Sequence, residues 1–259
     1  MIASSFSFAL SIAGCDPSSF AGFSADLRTF GALGVHGLSV VSTLTAQSPR
    51  SFDGTRHTAR EFVRAQIRCV LDSFGPLHCK IGLVPDDGCL EAIASELKAR
   101  SIVVDPVMGA SADSGLSSLP PGRLAEVLFP MASLVTPNIP EAEALLSRSI
   151  TSIDESISAA TEINERYGCS VLLKGGHFEG SSSSTDVFCH DSGLILLKSP
   201  REAVGSVHGS GCFLSASITG HLALGFDLPS AVQMAKDHIS RAFADPVDVG
   251  GFPLLNVRP

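Results

Sequence analysis

The chain has 259 residues, 44% of them hydrophobic, and a net charge of -8: enough apolar material for a large core, and no Lys/Arg-rich block to suit a nucleic-acid or acidic-membrane partner. Its seven cysteines (15, 69, 79, 89, 169, 189 and 212) are scattered without a C-x-x-C pair, which argues against a disulfide framework or structural zinc and for a reducing, cytoplasmic setting. No stretch reaches the roughly 18 consecutive apolar residues of a membrane span, so a soluble protein with a small-molecule ligand is expected.

Phe6 to Ala13 reads as a buried strand. The run up to Cys15 resembles the end of a lipoprotein signal, but serines break it and no Lys or Arg precedes it. Gly14 to Gly22 form a loop around Asp16-Pro17-Ser18-Ser19, and Leu27, Phe30 and Leu33 give residues 25–33 helical spacing. Gly37 to Leu44 form a second strand, and 58–73 an amphipathic helix with Phe62, Val63, Ile67 and Val70 on one face. Strands near 78–83, 101–104 and 132–135 then alternate with helices near 86–99, 121–129 and 139–147. A helix at 152–167 and a strand at 169–173 follow, and four serines, 181–184, mark a surface loop. Asp186–Cys189 and Leu194–Lys198 bracket the turn Asp191-Ser192-Gly193 as a hairpin, and helices near 211–225 and 228–244 close the chain. This alternation predicts one α/β domain over 1–259, with a mainly parallel central sheet flanked by helices on both faces.

Ligands of such sheets bind beyond the carboxyl ends of the strands. Four segments fall there: Asp105-Pro106-Val107, Thr136-Pro137-Asn138, Lys174-Gly175-Gly176-His177 and His208-Gly209-Ser210-Gly211-Cys212. In the last, small residues let backbone N–H groups converge on an anion at a helix entrance, and Cys212 lies in a field that favours thiolate. The same residues also suit an ordinary helix packed tightly on a sheet. Asn138 and Glu141 can cap a helix that has Pro140 in its first turn, or offer oxygen to a hard cation. Lys174 is a compact cation for phosphate or a solvated strand end, and Asp105-Pro106 can be a plain turn. His177 and His208 adjoin glycines, where structural hydrogen bonding is expected rather than metal binding.

Together these segments resemble the hydroxymethylpyrimidine and phosphomethylpyrimidine kinases of thiamine biosynthesis, in the ribokinase-like superfamily. The likeness runs from Ser11-Ile12-Ala13-Gly14-Cys15-Asp16-Pro17-Ser18 through Ala21-Gly22-Phe23-Ser24-Ala25-Asp26-Leu27 and Thr43-Leu44-Thr45-Ala46-Gln47 to Gly250-Gly251-Phe252-Pro253. It implies a ribokinase-like fold, ATP as donor, Mg2+, and phosphorylation of 4-amino-5-hydroxymethyl-2-methylpyrimidine or its monophosphate, with a homodimeric assembly. It also implies an anion hole from Gly209, Ser210, Gly211 and Cys212, with Cys212 as general base. Asp105, Asn138 and Lys174 would lie at the ATP phosphates, Glu141 and Asn138 at magnesium, in part through water. Asp26, Gln47, Gly14 and Ala21 would meet the pyrimidine. Read by themselves, Asp26 is a solvated helix-start charge and Gln47 a polar strand end. The chain departs from the family at Ser19 and Phe20, where relatives usually carry two glycines within Ser-Gly-Gly-Ala-Gly and this chain has Ser18-Ser19-Phe20-Ala21-Gly22, at Leu83, and at Gly109–Gly115, which lacks a lysine. These departures bear on acceptor preference, and a related pyridoxal kinase is the alternative. A non-catalytic pyrimidine-binding regulator is the reading outside enzymology, which ATP turnover would exclude.

Overall fold

A computed structural model describes residues 6–108, 116–175, 183–200 and 209–258. A nine-stranded sheet organises it, formed by β1 (Phe8–Cys15), β2 (His36–Gln47), β3 (Phe52–His57), β4 (Leu77–Ile81), β5 (Ala99–Val104), β6 (Leu134–Val135), β7 (Ser170–Leu173), β8 (Ser183–His190) and β9 (Gly193–Pro200), in the order β3-β2-β1-β4-β5-β6-β7-β8-β9. β2, β1, β4, β5, β6 and β7 pair in parallel, while β3 at one edge and β8 and β9 at the other join antiparallel.

The helices are α1 (Gly22–Ala32), α2 (Arg60–Phe74), α3 (Asp87–Glu96), α4 (Pro121–Leu128), α5 (Ile139–Leu146), α6 (Ile153–Tyr167), α7 (Ser210–Ala223) and α8 (Leu228–Ala244). The two-residue period of the strands divides them between two faces. In β1, Leu10 and Ile12 pack with Val63 and Ile67 of α2 and Ile93 of α3, whereas Ala9 meets Phe30 of α1 and Ala216 of α7. In β5, Ile102 and Val104 join the first cluster, and Val103 joins Ile218 of α7 and Ile239 of α8 in another. Both faces are therefore apolar, which is why the central strands read as continuous hydrophobic runs rather than alternating ones.

Several expectations change. Phe62 is 63% exposed, so only Val63 and Ile67 of the proposed α2 face are fully buried. β3 was not expected: its residues are mostly polar, and it exists by antiparallel pairing with β2. Ser183 and Ser184 open β8 rather than a surface loop, because their backbones pair with β9. A short antiparallel pair, β10 (Val247–Asp248) with β11 (Pro253–Leu254), forms near the C-terminus. The readings made on 109–115, Gly176, His177, Ser181, Ser182 and His208 lie outside the described residues. Among those described, no helix is long and apolar enough to cross a membrane.

Candidate active site

From β1 the chain order runs outward to β2 on one side and to β4 on the other, so the carboxyl ends of β1 and β4 flank the switch point where open α/β sheets take ligands. α7 enters this edge. Its N-cap is Gly209, at φ +84°, and no side chain caps it; the first intrahelical bond is from the Phe213 N–H to the Gly209 carbonyl at 2.9 Å. The N–H groups of Gly209, Ser210, Gly211 and Cys212 thus lie ahead of the helical ladder, with the positive end of the helix behind them. Glycine is required at 209, because a Cβ there would fall 1.8 Å from the Phe20 carbonyl oxygen. The entrance of α7 is thereby packed on the loop that follows β1.

That neighbouring loop is wound around Asp16, whose carboxylate accepts from the N–H groups of Ser18 (2.8 Å), Ala21 (2.9 Å) and Phe20 (3.2 Å) and from the Ser18 hydroxyl (2.6 Å). Its sequence signal was an aspartate followed by proline and serines, residues that form such side-chain-to-backbone turns. The Phe20 ring is buried and meets Phe252 edge-on, 6.4 Å between centroids.

Beside α7, Lys174 Nζ donates to Asp105 Oδ1 at 2.8 Å. Asp105 also accepts from Thr136 Oγ1 at 3.1 Å and Ser215 Oγ at 3.3 Å, and is only 2% exposed. A Cβ on Gly211 would stand 3.3 Å from Lys174 Nζ, so the cation borders the first turn of α7 directly. Burial opposes charge on Asp105, but Lys174 and Lys80 outweigh it and hold the carboxyl below its ordinary value. Burial likewise opposes charge on Lys174, and Asp105 and Glu141 outweigh it, so the ammonium is kept above its ordinary value. Asp105 Oδ1 is thus occupied by Lys174 and Thr136, while Oδ2 faces Gly211 with Ser215 beside it.

Asn138 and Glu141 form the capping box the sequence allowed: Glu141 N–H donates to Asn138 Oδ1 at 2.9 Å, and Asn138 N–H to Glu141 Oε2 at 2.8 Å. Burial pushes the Glu141 carboxyl up to about 7, with Asp105 adding to the rise and Lys174 opposing it. Asn138 bridges to Lys174, which brings the cap to the same edge. Among the described residues no group of three or more His, Cys, Asp or Glu could hold a metal. The donor set fits Mg2+ in the way that ion usually binds, through one or two carboxylates plus waters and substrate phosphates, with Glu141 as the carboxylate.

The floor of the cleft departs from expectation. Asp26 on α1 is fully buried, not solvated and not an open acceptor: Lys80 Nζ donates to both its oxygens at 2.8 Å, and Ser11 Oγ donates to Oδ2 at 2.5 Å. Lys80, from β4, was passed over as a functional residue, although a lysine inside the apolar strand Leu77–Ile81 is the kind of buried charge that requires a partner. Gln47 ends β2, half-buried and opposite Phe52, and its side-chain amide has no hydrogen bond among the described residues. Gly14 is buried between Thr43 and Leu83, and Ala21 is half-buried before α1. Cys212 is half-buried. Burial raises its thiol above the ordinary value and Asp26 and Asp105 add to this, while Lys80 and the Gly22 N–H pull it down without reversing it. Burial and the carboxylates of Asp26 and Asp105 thus work against the thiolate that the helix entrance favours.

The sequence model of the phosphomethylpyrimidine kinase family matches residues 16–254. The chain belongs to this family. It is 39% identical over 250 residues to a hydroxymethylpyrimidine/phosphomethylpyrimidine kinase of Rhizobium meliloti, covering 93% of each chain. Its fold is similar to that of Bacillus subtilis pyridoxal kinase, solved as an ADP complex, with TM-score 0.87, 29% identity and 97% of each chain covered. It is also similar to phosphomethylpyrimidine kinase from Clostridium difficile, with TM-score 0.78, 33% identity, and 91% of this chain and 98% of that one covered. The mainly parallel, helix-flanked sheet is thus the ribokinase-like fold of these kinases, as the sequence implied.

Proposed function

We propose that this phosphomethylpyrimidine kinase family member transfers the γ-phosphoryl group of ATP to the hydroxymethyl group of 4-amino-5-hydroxymethyl-2-methylpyrimidine, and to the monophosphate so formed, for thiamine biosynthesis. The observation that carries the reading is the uncapped entrance of α7 beside Lys174, a backbone cradle and a cation on one edge. Phosphoryl transfer asks little of a protein beyond positioning and charge stabilisation, and this pair supplies both.

In this reading the N–H groups of Gly209, Ser210, Gly211 and Cys212 receive the charge that develops on the transferred group, and Lys174, aimed by Asp105, neutralises the phosphates. Glu141, with Asn138, would hold Mg2+ through water, and that ion would supply charge neutralisation between phosphate oxygens. Cys212 takes the proton of the acceptor hydroxyl from its minor thiolate form, with Lys80 as the nearby cation that favours that form. Gln47 offers both a donor and an acceptor to the aminopyrimidine, with Gly14 and Ala21 as small neighbours. Asp26 acts beneath them by keeping Lys80 paired. The whole chain is read as one cytoplasmic kinase domain and as a homodimer, for which exposed Leu44 on β2 and Phe52 on β3 offer an apolar edge to a second copy.

Pyridoxal kinase activity is the second reading, favoured by the higher TM-score and coverage of the Bacillus structure. ATP consumption measured with the pyrimidine alcohol, its monophosphate, pyridoxal and a thiazole alcohol decides between them. Preference for either pyrimidine is expected. Preference for pyridoxal would move the chain to the second reading, and binding of a pyrimidine without any turnover would remove the kinase assignment.

A further inference from the structure

Lys236 of α8 is 7% exposed, and its Nζ lies 2.5 Å from Oδ2 of Asp186 in β8, itself 3% exposed. A buried ion pair is poor evidence for stability, since desolvation consumes most of its Coulombic gain. The second carboxylate oxygen shows what this one does. Asp186 Oδ1 accepts the Gly175 N–H at 2.8 Å, directly after the lysine that borders the first turn of α7. On its other side, the Lys174 N–H donates to the Pro137 carbonyl at 2.8 Å. The turn is also pressed against β8, because a Cβ on Gly175 would fall 1.8 Å from the Thr185 carbonyl oxygen. Lys174 is therefore held between the segment after β6 and β8, and the β8 anchor is oriented from α8.

We propose that Lys236 and Asp186 are positioning residues for the phosphoryl donor: the carboxylate, steadied by the α8 ammonium, holds the Gly175 backbone so that Lys174 stays aimed at the nucleotide phosphates. This rests on the reading of Lys174 as the phosphate cation. The pair touches neither the acceptor residues nor Cys212 in the structure, so its loss acts on the nucleotide side alone.

The test compares full-length variants by steady-state kinetics and by binding of a non-hydrolysable ATP analogue. Lys236→Met should raise the ATP KM and weaken the analogue by roughly ten- to a hundredfold, the scale on which groups that orient a ligand act, with the pyrimidine KM unchanged. Two charge-neutral double variants isolate the contact even where the single variant does not fold. Asp186→Asn with Lys236→Met retains an oxygen for the Gly175 N–H and should bind the analogue nearly as the parent does; Asp186→Leu with Lys236→Met removes that oxygen and should not. Equal analogue affinity in the two double variants, or equal rises in both KM values, would overturn the proposal. Lys174→Met separates it from the reading beneath it: normal ATP affinity and turnover there would remove the phosphate role of Lys174, whereas a disabled Lys174→Met beside an unaffected, folded Lys236→Met would overturn only the brace.

Discussion

α5 and α7 both begin at the ligand-binding edge of the sheet, and the residue three positions after the N-cap is titratable in each: Glu141 in α5, Cys212 in α7. In α5 the side chains of Asn138 and Glu141 satisfy the first turn reciprocally. In α7 the cap is glycine, and the Cys212 sulfur is instead met by the Gly22 N–H at the start of α1. One entrance is closed by its own side chains and the other has no side-chain cap. The proposed phosphate site rests on that uncapped start together with the cation that the tertiary structure brings beside it.

The largest expected difference between the two entrances is catalytic. Cys212→Ser should lower kcat by about 10²–10⁴, the usual contribution of general-base catalysis, with the melting temperature and nucleotide affinity retained. A folded serine variant with near-normal turnover would reject the proton-transfer role. Because the thiol is raised, the thiolate is a minor form at neutral pH whose fraction keeps rising with pH until the raised value is passed, so kcat should climb with pH through and beyond neutrality. A profile flat from acid to alkaline pH would remove thiolate chemistry from α7.

Beneath α7, Asp26→Ala should act on the fold rather than on substrate affinity, since it leaves the Lys80 ammonium buried without its partner. The expected loss is about 3–5 kcal/mol, much of the about 5–15 kcal/mol that holds a typical domain folded. Denaturant unfolding measures it, and Asp26→Leu with Lys80→Met should recover most of it. A stable Asp26→Ala that fails only in pyrimidine binding would restore Asp26 as a direct ligand.

Changes at α5 should be smaller and mostly thermodynamic. The Glu141 carboxyl stands at about 7 in the folded chain against an ordinary 4.5. A raised carboxyl favours the fold below its unfolded value, and that contribution is lost as the pH climbs through the folded value. Between pH 4.5 and 7 the parent should therefore lose on the order of 3 kcal/mol relative to Glu141→Gln, which has no proton to release. Parallel stability curves would show that burial does not perturb this carboxyl. The same glutamine variant should need more Mg2+ for turnover, and an unchanged requirement would leave only the cap. The smallest effect is expected for Asn138→Ala, a loss of about 1 kcal/mol in thermal or denaturant melts from one missing cap.

Local signals were legible. The apolar runs of β1, β4, β5 and β7, the helical spacing of α2 and α6, the Asp191-Ser192-Gly193 hairpin and the Asn138–Glu141 cap all follow from the chemistry of a few consecutive residues. β3 was not legible because its stability comes from pairing with β2 rather than from its own polar sequence. The direction of the Cys212 shift was missed for a similar reason: the helix start is visible in sequence, but the surrounding burial and the carboxylates of Asp26 and Asp105 are not.

By itself the sequence determined the α/β class, the family likeness, and the presence of a glycine-rich helix entrance among polar strand ends. Those properties are set by residue type and short-range spacing. Only the tertiary structure decided which charges are partners. Asp26 meets Lys80 across 54 positions, Asp105 meets Lys174 across 69, and Asp186 meets Lys236 across 50. The energy of a charge depends on its desolvation and on what lies within a few ångströms, and in a sheet wound in this order those neighbours come from distant parts of the chain.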